Sequence, residues 1–194
     1  MNTSSNLDNE FNGIVNAAWK NDLETVKTMV TDGFNLATTN QYGESVLGET
    51  ICYLCVYGDV EPHRFEVVKL LLALGANPNQ HDSNGCGALQ DAILAMDTEL
   101  IKILLDAGAK PNDFSNEYKD ETLYSWGVLE YQFHIWDVNK FPEEPNLKLL
   151  EYDEEKWLNW FDAMAIKDGR RRPDHLFLLR EYGARTLEEL KEQQ

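Results

Sequence analysis

Two cysteines three residues apart are the first candidates for chemistry in this sequence. Cys52 and Cys55 form a C-x-x-C pair, and Cys86 is the only other cysteine. A structural zinc site takes four ligands, and a thioredoxin-like dithiol needs a strand–helix–strand context that the surrounding residues do not predict. We therefore interpret the pair as buried thiols, which pack as small apolar groups.

The other residue types that could do chemistry are scattered. The histidines at 63, 81, 134 and 175 lack metal-ligand spacing, and no G-x-S-x-G motif is present. Gly85-Cys86-Gly87 is not followed by the Lys-Ser/Thr of a phosphate loop. The acidic runs at 143–144 and 153–155 are typical of solvated loops and helix starts. The sequence therefore predicts no enzyme activity, no cofactor and no metal.

The net charge of the chain limits the kinds of molecule that it can bind. The 194 residues carry 17 Lys and Arg against 34 Asp and Glu, a net charge of −17. Residues 1–112 have a net charge of −9 and residues 113–194 of −8, so neither part has an excess of basic residues. Nucleic acids and anionic membrane surfaces are bound mainly through basic residues, so both are unlikely partners. The charge favours a basic protein instead.

Other global features indicate a folded cytoplasmic protein. Apolar residues make up 43% of the chain, enough for a core despite the charge. The first residues lack the basic and apolar regions of a signal peptide, and no apolar run is long enough to span a bilayer. Three cysteines do not suggest a disulfide framework. We expect a monomer in a reducing cytoplasm.

A repeated helix that ends in glycine organises the chain. Similar apolar segments precede Gly33, Gly75, Gly108 and Gly183, with spacings of 42, 33 and 75 residues. Glycine permits the left-handed backbone that ends many helices. The last spacing equals two 33-residue periods plus nine. It predicts two divergent repeats, one opening near Glu121 and one with a first helix over roughly 154–167.

The repeat resembles the ankyrin family. Residues 71–79 and 104–112 keep the L-L-x-x-G-A-x-x-N half of the ankyrin pattern, whereas the T-P-L-H half is degraded to Ser45-Val46-Leu47-Gly48 and Gly87-Ala88-Leu89-Gln90. The resemblance implies an all-α ankyrin-repeat solenoid of helix–turn–helix units. We expect a flexible N-terminus over 1–11, three repeats over 12–112, and divergent repeats with an aromatic-rich insert and cap over 113–194.

Three segments depart from the repeat frame. Residues 51–57 lengthen the first helix of repeat 2 by about a turn, residues 60–64 lengthen the loop that follows, and residues 131–153 do not fit the two-helix template. Residues 114–161 hold 12 of the 21 aromatic residues and include Phe133 and Trp136; we interpret most as packing in a C-terminal cap, and the exposed ones as a binding surface. The cluster Arg170-Arg171-Arg172 predicts a solvated loop, or else intramolecular ion pairs, with Pro173 in the first position of the next helix.

Ankyrin solenoids bind proteins through their turn tips and the exposed face of their first helices. The resemblance places a set of residues in these slots: Trp19, Lys20, Gln41, Tyr42, Glu44, Ser83, Asn84, Tyr118, Lys119, Glu121, Glu130, Tyr131 and, in the insert, Trp136. Aromatic side chains beside carboxylates favour Arg- or Lys-rich ligands, because they combine cation–π contacts with charge-assisted hydrogen bonds.

The leading functional hypothesis is a non-catalytic protein-interaction module. Small acidic ankyrin proteins of bacterial type, which the ending Gly183-Ala184-Arg185-Thr186 resembles, are similar to immunity and antitoxin proteins that neutralise a basic toxin. Two alternatives stay open: a regulatory scaffold for another cellular or host protein, and an enzyme with a hidden site in the 114–172 insert.

Overall fold

The chain folds into stacked pairs of antiparallel helices. The computed structural model describes residues 3–56, 61–113, 121–136 and 153–193, and the predicted contact residues Tyr118 and Lys119 lie outside these ranges. The described helices are α1 (Thr3–Trp19), α2 (Leu23–Thr31), α3 (Val46–Ile51), α4 (Arg64–Ala73), α5 (Ala88–Leu94), α6 (Thr98–Asp106), α7 (Leu123–Tyr131), α8 (Glu154–Asp168), α9 (Asp174–Glu181) and α10 (Leu187–Glu192).

The helices form two rows. Helices α1, α3, α5 and α7 pack side by side as the first helices of successive repeats, and α4, α6 and α9 pack as a row of second helices. Ile14, Leu47 and Ile93 of the first row are at most 1% exposed and belong to one continuous core. Because each pair can bury its apolar face only against its neighbours, stacking is what completes the core. The predicted all-α solenoid is confirmed.

Local signals in the sequence set the helix ends. Gly33, Gly75, Gly108 and Gly183 all have positive φ, between +88° and +106°, in the left-handed turn that follows each second helix. Ser45 and Thr122 cap the starts of α3 and α7 by accepting hydrogen bonds from backbone N–H groups three residues ahead. Helices α3 and α7 each continue into a π-helical turn, over Cys52–Val56 and Gln132–Trp136. The predicted lengthening in repeat 2 is therefore present.

The N-terminus differs from the prediction. Residues 1–11 were expected to be flexible, but α1 begins at Thr3 and the Phe11 side chain is 1% exposed. Leu7, Phe11 and Ile14 follow the i, i+4, i+7 spacing of one helix face, and this face extends the helix N-terminal to the expected boundary.

A ladder of asparagine side chains corrects the repeat count at the C-terminal end. Asn79 Nδ2 donates to the Gly108 carbonyl oxygen at 2.9 Å, and its Oδ1 accepts from the Lys110 N–H at 2.8 Å. Asn112 does the same one repeat later, donating to the Gly183 carbonyl oxygen at 3.0 Å and accepting from the Arg185 N–H at 2.8 Å. Gly183 thus follows Gly108 by one repeat instead of two.

Helix α8 is consequently an insertion within repeat 4. Helix α9 packs on both α6 and α7, so α7 and α9 are the first and second helices of the same repeat. The prediction of a helix near 154–167 is correct, but its assignment as the first helix of a separate repeat is wrong. The spacing of 75 residues is one period plus a 42-residue insertion.

The cluster Arg170-Arg171-Arg172 connects the repeat 4 insertion to the solenoid through hydrogen bonds and a cation–π contact. Arg170 donates to the Ile135 carbonyl oxygen, and its guanidinium lies 4.7 Å from the centre of the Trp136 ring. Arg171 donates to the Met96 carbonyl oxygen at 2.5 Å, and Arg172 contacts the Asp162 carboxylate through two nitrogens, at 2.6 and 2.9 Å. A freely solvated loop is therefore the wrong interpretation of the cluster. Pro173 is the N-cap of α9 and not its first helical residue.

The same contacts correct two predicted binding residues. Tyr131 and Trp136 are 0% and 1% exposed, so neither side chain can touch a partner on this surface. The Tyr131 hydroxyl donates to the Arg171 carbonyl oxygen at 2.5 Å, and its ring packs edge-on against Phe161 of α8 at 6.0 Å. The sequence predicts exposure for Tyr131, at the end of the row of repeat slots, and for Trp136, in the insert, but both side chains are buried. For both residues, cap packing is the correct interpretation.

Candidate protein-binding surface

Two equivalent turns carry the predicted tip residues of repeats 2 and 3. In the first turn, Asn40 Oδ1 accepts hydrogen bonds from the N–H groups of Tyr42 and Glu44 at 2.9 and 3.0 Å. In the second, Asp82 Oδ1 accepts from those of Asn84 and Cys86, both at 2.8 Å. Asn and Asp favour such turns because their short side chains replace a backbone acceptor. The two turns therefore present their tips in the same way.

The tips also contact each other. The Ser83 N–H donates to the Tyr42 carbonyl oxygen at 3.1 Å. Gly43 makes this approach feasible: its φ is +81°, and a Cβ at this position would lie 2.9 Å from the Ser83 nitrogen. The predicted contact residues Gln41, Tyr42, Ser83 and Asn84 are all exposed, and Tyr42 is 62% exposed.

An aromatic groove lies beside these turns, between the first helices of repeats 1 and 2. Trp19 ends α1 and is 41% exposed; Tyr53, in the π-helical turn, is 42% exposed, and the two ring centres are 6.1 Å apart. Together with Asn12, Val15, Asn16 and Glu49 they line a cavity of about 260 Å³. Sequence reasoning selected Trp19 and the adjacent exposed Lys20 but missed Tyr53. The sequence did contain a signal for Tyr53, because this residue lies in the segment that lengthens the first helix of repeat 2 by about one turn.

An acidic cleft adjoins the groove, and Glu49 lines both. The cleft has a volume of about 230 Å³ and lies between the turns and α3 and α5. Its lining includes the carboxylates of Glu44, Glu49, Asp82 and Asp91, and none of its lining residues is Lys, Arg or His. Of these four, only Glu44 was predicted, because the repeat frame marks turn tips more clearly than helix positions.

The electrostatics of the cleft disfavour its own negative charge. Burial and the charge of Glu44 raise the pKa of Glu49 to about 7. Burial, followed by the charges of Asp82, Glu49 and Glu44, raises the pKa of Asp91 to about 7, against the opposing effect of a hydrogen bond with Cys52. Like charges and desolvation both penalise ionised carboxylates, and a cation in the cleft would relieve both penalties.

The cysteines of the C-x-x-C pair are not activated. Burial and the nearby charge of Asp91 raise the pKa of Cys52, and burial raises the pKa of Cys55 to about 12. None of the three cysteines forms a disulfide. Because the thiolate is the reactive form, the Cys52 and Cys55 thiols are poor nucleophiles at neutral pH, which agrees with their interpretation as packing groups.

The surface continues with a different character on repeat 4. Glu121 and Glu130 are half-buried, and the Glu130 carboxylate contacts His134 at 3.0 Å. Leu129 and Phe133, one turn apart, are 42% and 59% exposed. The acidic and aromatic features thus concentrate on repeats 1–3, whereas repeat 4 exposes apolar side chains.

Two classes of site receive no support within the described ranges. No cluster of three or more His, Cys, Asp or Glu side chains there is arranged to hold a metal ion. In the same part of the chain, no helix is both long and apolar enough to cross a bilayer.

The comparison with known families agrees with this architecture. Residues 14–115, more than half of the chain, match the family model described as Ankyrin repeats (3 copies). The chain therefore belongs to the ankyrin-repeat family and is a protein-interaction module of that class. No curated protein matches the sequence.

Proposed function

We propose that this ankyrin-repeat protein is a non-catalytic module that binds a basic partner protein through the turn tips and first helices of repeats 1–3. The acidic cleft is the observation that carries the proposal: four carboxylates line it without a basic side chain among its lining residues. Two of them have raised pKa values, so the cleft favours the entry of a positive charge.

The net charge of −17 supports the same partner. Opposite charge steers two proteins together, with association rates that reach about 10⁸–10⁹ M⁻¹ s⁻¹ at low salt. Such rates suit an immunity or antitoxin protein, which must bind its toxin before the toxin acts. We therefore propose a basic toxin domain as the partner, and neutralisation as the consequence of binding.

Capture of the partner from source cells, followed by measurements on the purified complex, tests the proposal. The double variant Glu44→Gln/Asp91→Asn replaces two carboxyl groups of the cleft with neutral amides. The control Glu66→Gln/Glu99→Gln removes two charges from exposed positions on the second helices α4 and α6. We expect the cleft variant to bind at least about tenfold more weakly, as is common for charges in an interface, and the control to bind within about twofold of the wild type.

Salt and activity measurements complete the test. Affinity should fall steeply between low salt and about 0.5 M, because screening weakens exposed charge pairs. Co-expression should also protect cells from the partner's toxicity. A neutral or acidic partner, or equal losses in the cleft and control variants, would contradict the proposal. A basic partner that is bound but not inhibited would contradict only the neutralising role.

A further inference from the structure

The aromatic groove is smaller than most small-molecule sites, which leaves a single side chain as a suitable occupant. Its volume of about 260 Å³ lies below the roughly 300–1,000 Å³ of typical small-molecule sites. Trp19 and Tyr53, both more than 40% exposed, line it together, and the acidic residue Glu49 is among its other lining residues. A long apolar stem that ends in a positive charge matches this combination, because the stem can cover the rings while the charge meets the carboxylate.

The surroundings select this occupant over others. A second copy of the chain would bring another −17 charge against the acidic cleft. A neutral apolar segment would cover the rings but leave Glu49, with its acidic neighbours Glu44 and Asp91, without a counter-charge. A cation over the face of Trp gains a further electrostatic attraction to the ring.

We propose that this groove binds one Lys or Arg side chain of the basic partner, with Trp19 and Tyr53 as the aromatic walls and Glu49 as the counter-ion. Because Glu49 also lines the acidic cleft, a second cationic side chain next to the first enters that cleft. The recognition element is thus a dibasic segment. This inference rests on the proposed function, because it names the part of the basic partner that the surface recognises.

A short peptide tests the inference without the partner. The probe is an end-capped hexapeptide with a central Arg-Arg pair, and its control replaces both arginines with citrulline, which keeps the shape but removes the charge. NMR titration at constant ionic strength follows the indole N–H signal of Trp19 and suits weak binding. We expect the arginine peptide to shift this signal and the citrulline peptide to leave it in place.

Variants separate the aromatic and charged contributions. Trp19→Leu keeps an apolar side chain without an aromatic face and should weaken binding about five- to tenfold, whereas Trp19→Phe should stay within about threefold. Glu49→Gln should also weaken binding about fivefold or more. Ile166→Ala truncates an exposed apolar side chain on α8, outside the proposed surface, and should change affinity less than twofold. Unchanged far-ultraviolet circular dichroism and thermal midpoints establish that each variant is folded.

The outcomes distinguish this inference from the proposed function. Equal binding of the arginine and citrulline peptides overturns the cationic occupant, and equal losses in Trp19→Leu and Ile166→Ala overturn the groove as its site. Either result leaves the proposed function intact if the partner itself binds the Glu44→Gln/Asp91→Asn variant weakly. The proposed function fails when that variant binds the partner normally, whatever the peptide does.

Discussion

A change of pH is the sharpest perturbation of the cleft, because a bound cation and a proton compete for Glu49. The pKa of this carboxyl is about 7 in the free protein, since burial and the charge of Glu44 oppose ionisation. A cationic side chain against Glu49 favours the ionised form, so binding releases the proton. Affinity for the Arg-Arg peptide is therefore expected to rise as the pH increases from 6 to 8.

The size of the effect follows from the titration. With a pKa of about 7, Glu49 is about nine-tenths protonated at pH 6 and about one-tenth at pH 8, which gives about a tenfold gain in affinity. Asp91, with a pKa of about 7, adds up to another tenfold if the second arginine enters the cleft. The gain stops above pH 8, where both groups are already ionised.

The other titratable groups around Glu49 determine the controls. Glu44 and Asp82 lie on the turns, Asp91 on α5 and Cys52 on the same helical segment, whereas α1 contributes the uncharged Asn12 and Asn16 to the groove. His63, the residue before α4, lies next to one residue of the groove, since its Nε2 donates to the Trp19 carbonyl oxygen at 2.9 Å. A His63→Gln background removes that imidazole from the titration.

The assay is the NMR titration of the Arg-Arg peptide at pH 6, 7 and 8, with ionic strength held constant. The arginines of the probe do not titrate in this range. Equal affinity at pH 6 and pH 8 would contradict competition between the cation and a proton at Glu49, and so would a pH dependence that persists unchanged in Glu49→Gln. A slope that disappears only in the His63→Gln background would assign the proton to the histidine and refute the role of Glu49.

Three further predictions concern stability and are measured by urea unfolding. Gly43→Ala should lower the free energy of unfolding by about 1–2 kcal/mol because of its positive φ, and by a further amount because the new Cβ clashes with the neighbouring turn. Gly75→Ala has a positive φ but open space around it, so it should show only the backbone cost. Equal losses in the two variants would contradict the clash. Asn112→Ala removes two hydrogen bonds between repeats and should cost about 1–3 kcal/mol, and no loss would contradict the ladder. Burial and the nearby positive charge of Arg171 lower the pKa of His175 to about 3, so the stability that its neutral form contributes is present above about pH 6.5 and lost as the pH falls towards 3. His175→Phe should therefore lose less stability than the wild type between pH 7 and pH 4, and parallel losses would contradict this assignment.

Local features of the fold could be predicted from the sequence because they depend on nearby residues. The helix ends at Gly33 and Gly75 are determined by the glycine and a few neighbouring residues. Helix α8 likewise ends within one residue of its predicted boundary. The count of repeats between Gly108 and Gly183 could not be predicted in this way. It depends on the hydrogen bonds of Asn112 to residues more than 70 positions away.

In the candidate site, the turn-tip residues could be predicted from the sequence, whereas contacts between distant segments could not. Tyr42 and Ser83 lie on turns that a repeat frame locates, and both are exposed as expected. Tyr131 was wrongly placed on the surface, because the Arg171 backbone and Phe161 of the insertion cover a slot that ordinary repeats leave open. The pairing of Trp19 with Tyr53 arises from one extra helical turn, whose effect on side-chain direction appears only in three dimensions.

The position of the negative charge argues for recognition beyond solubility. Solubility depends on net charge and is served by carboxylates anywhere on the surface, such as the exposed Glu66 and Glu99 of the second helices. Glu49 and Asp91 instead lie close together and partly desolvated, with pKa values raised to about 7. Because the folded state holds their protons more tightly than the unfolded state, their contribution to stability is full below about pH 4 and is lost as the pH rises through about 7. At neutral pH these two carboxylates therefore lower the stability of the folded state. For solubility alone, exposed glutamates would serve equally well without that cost. Residues that lower stability in this way are expected where a surface is adapted to a ligand. A pair of cationic side chains is the ligand that would neutralise the two carboxylates and relieve the destabilisation.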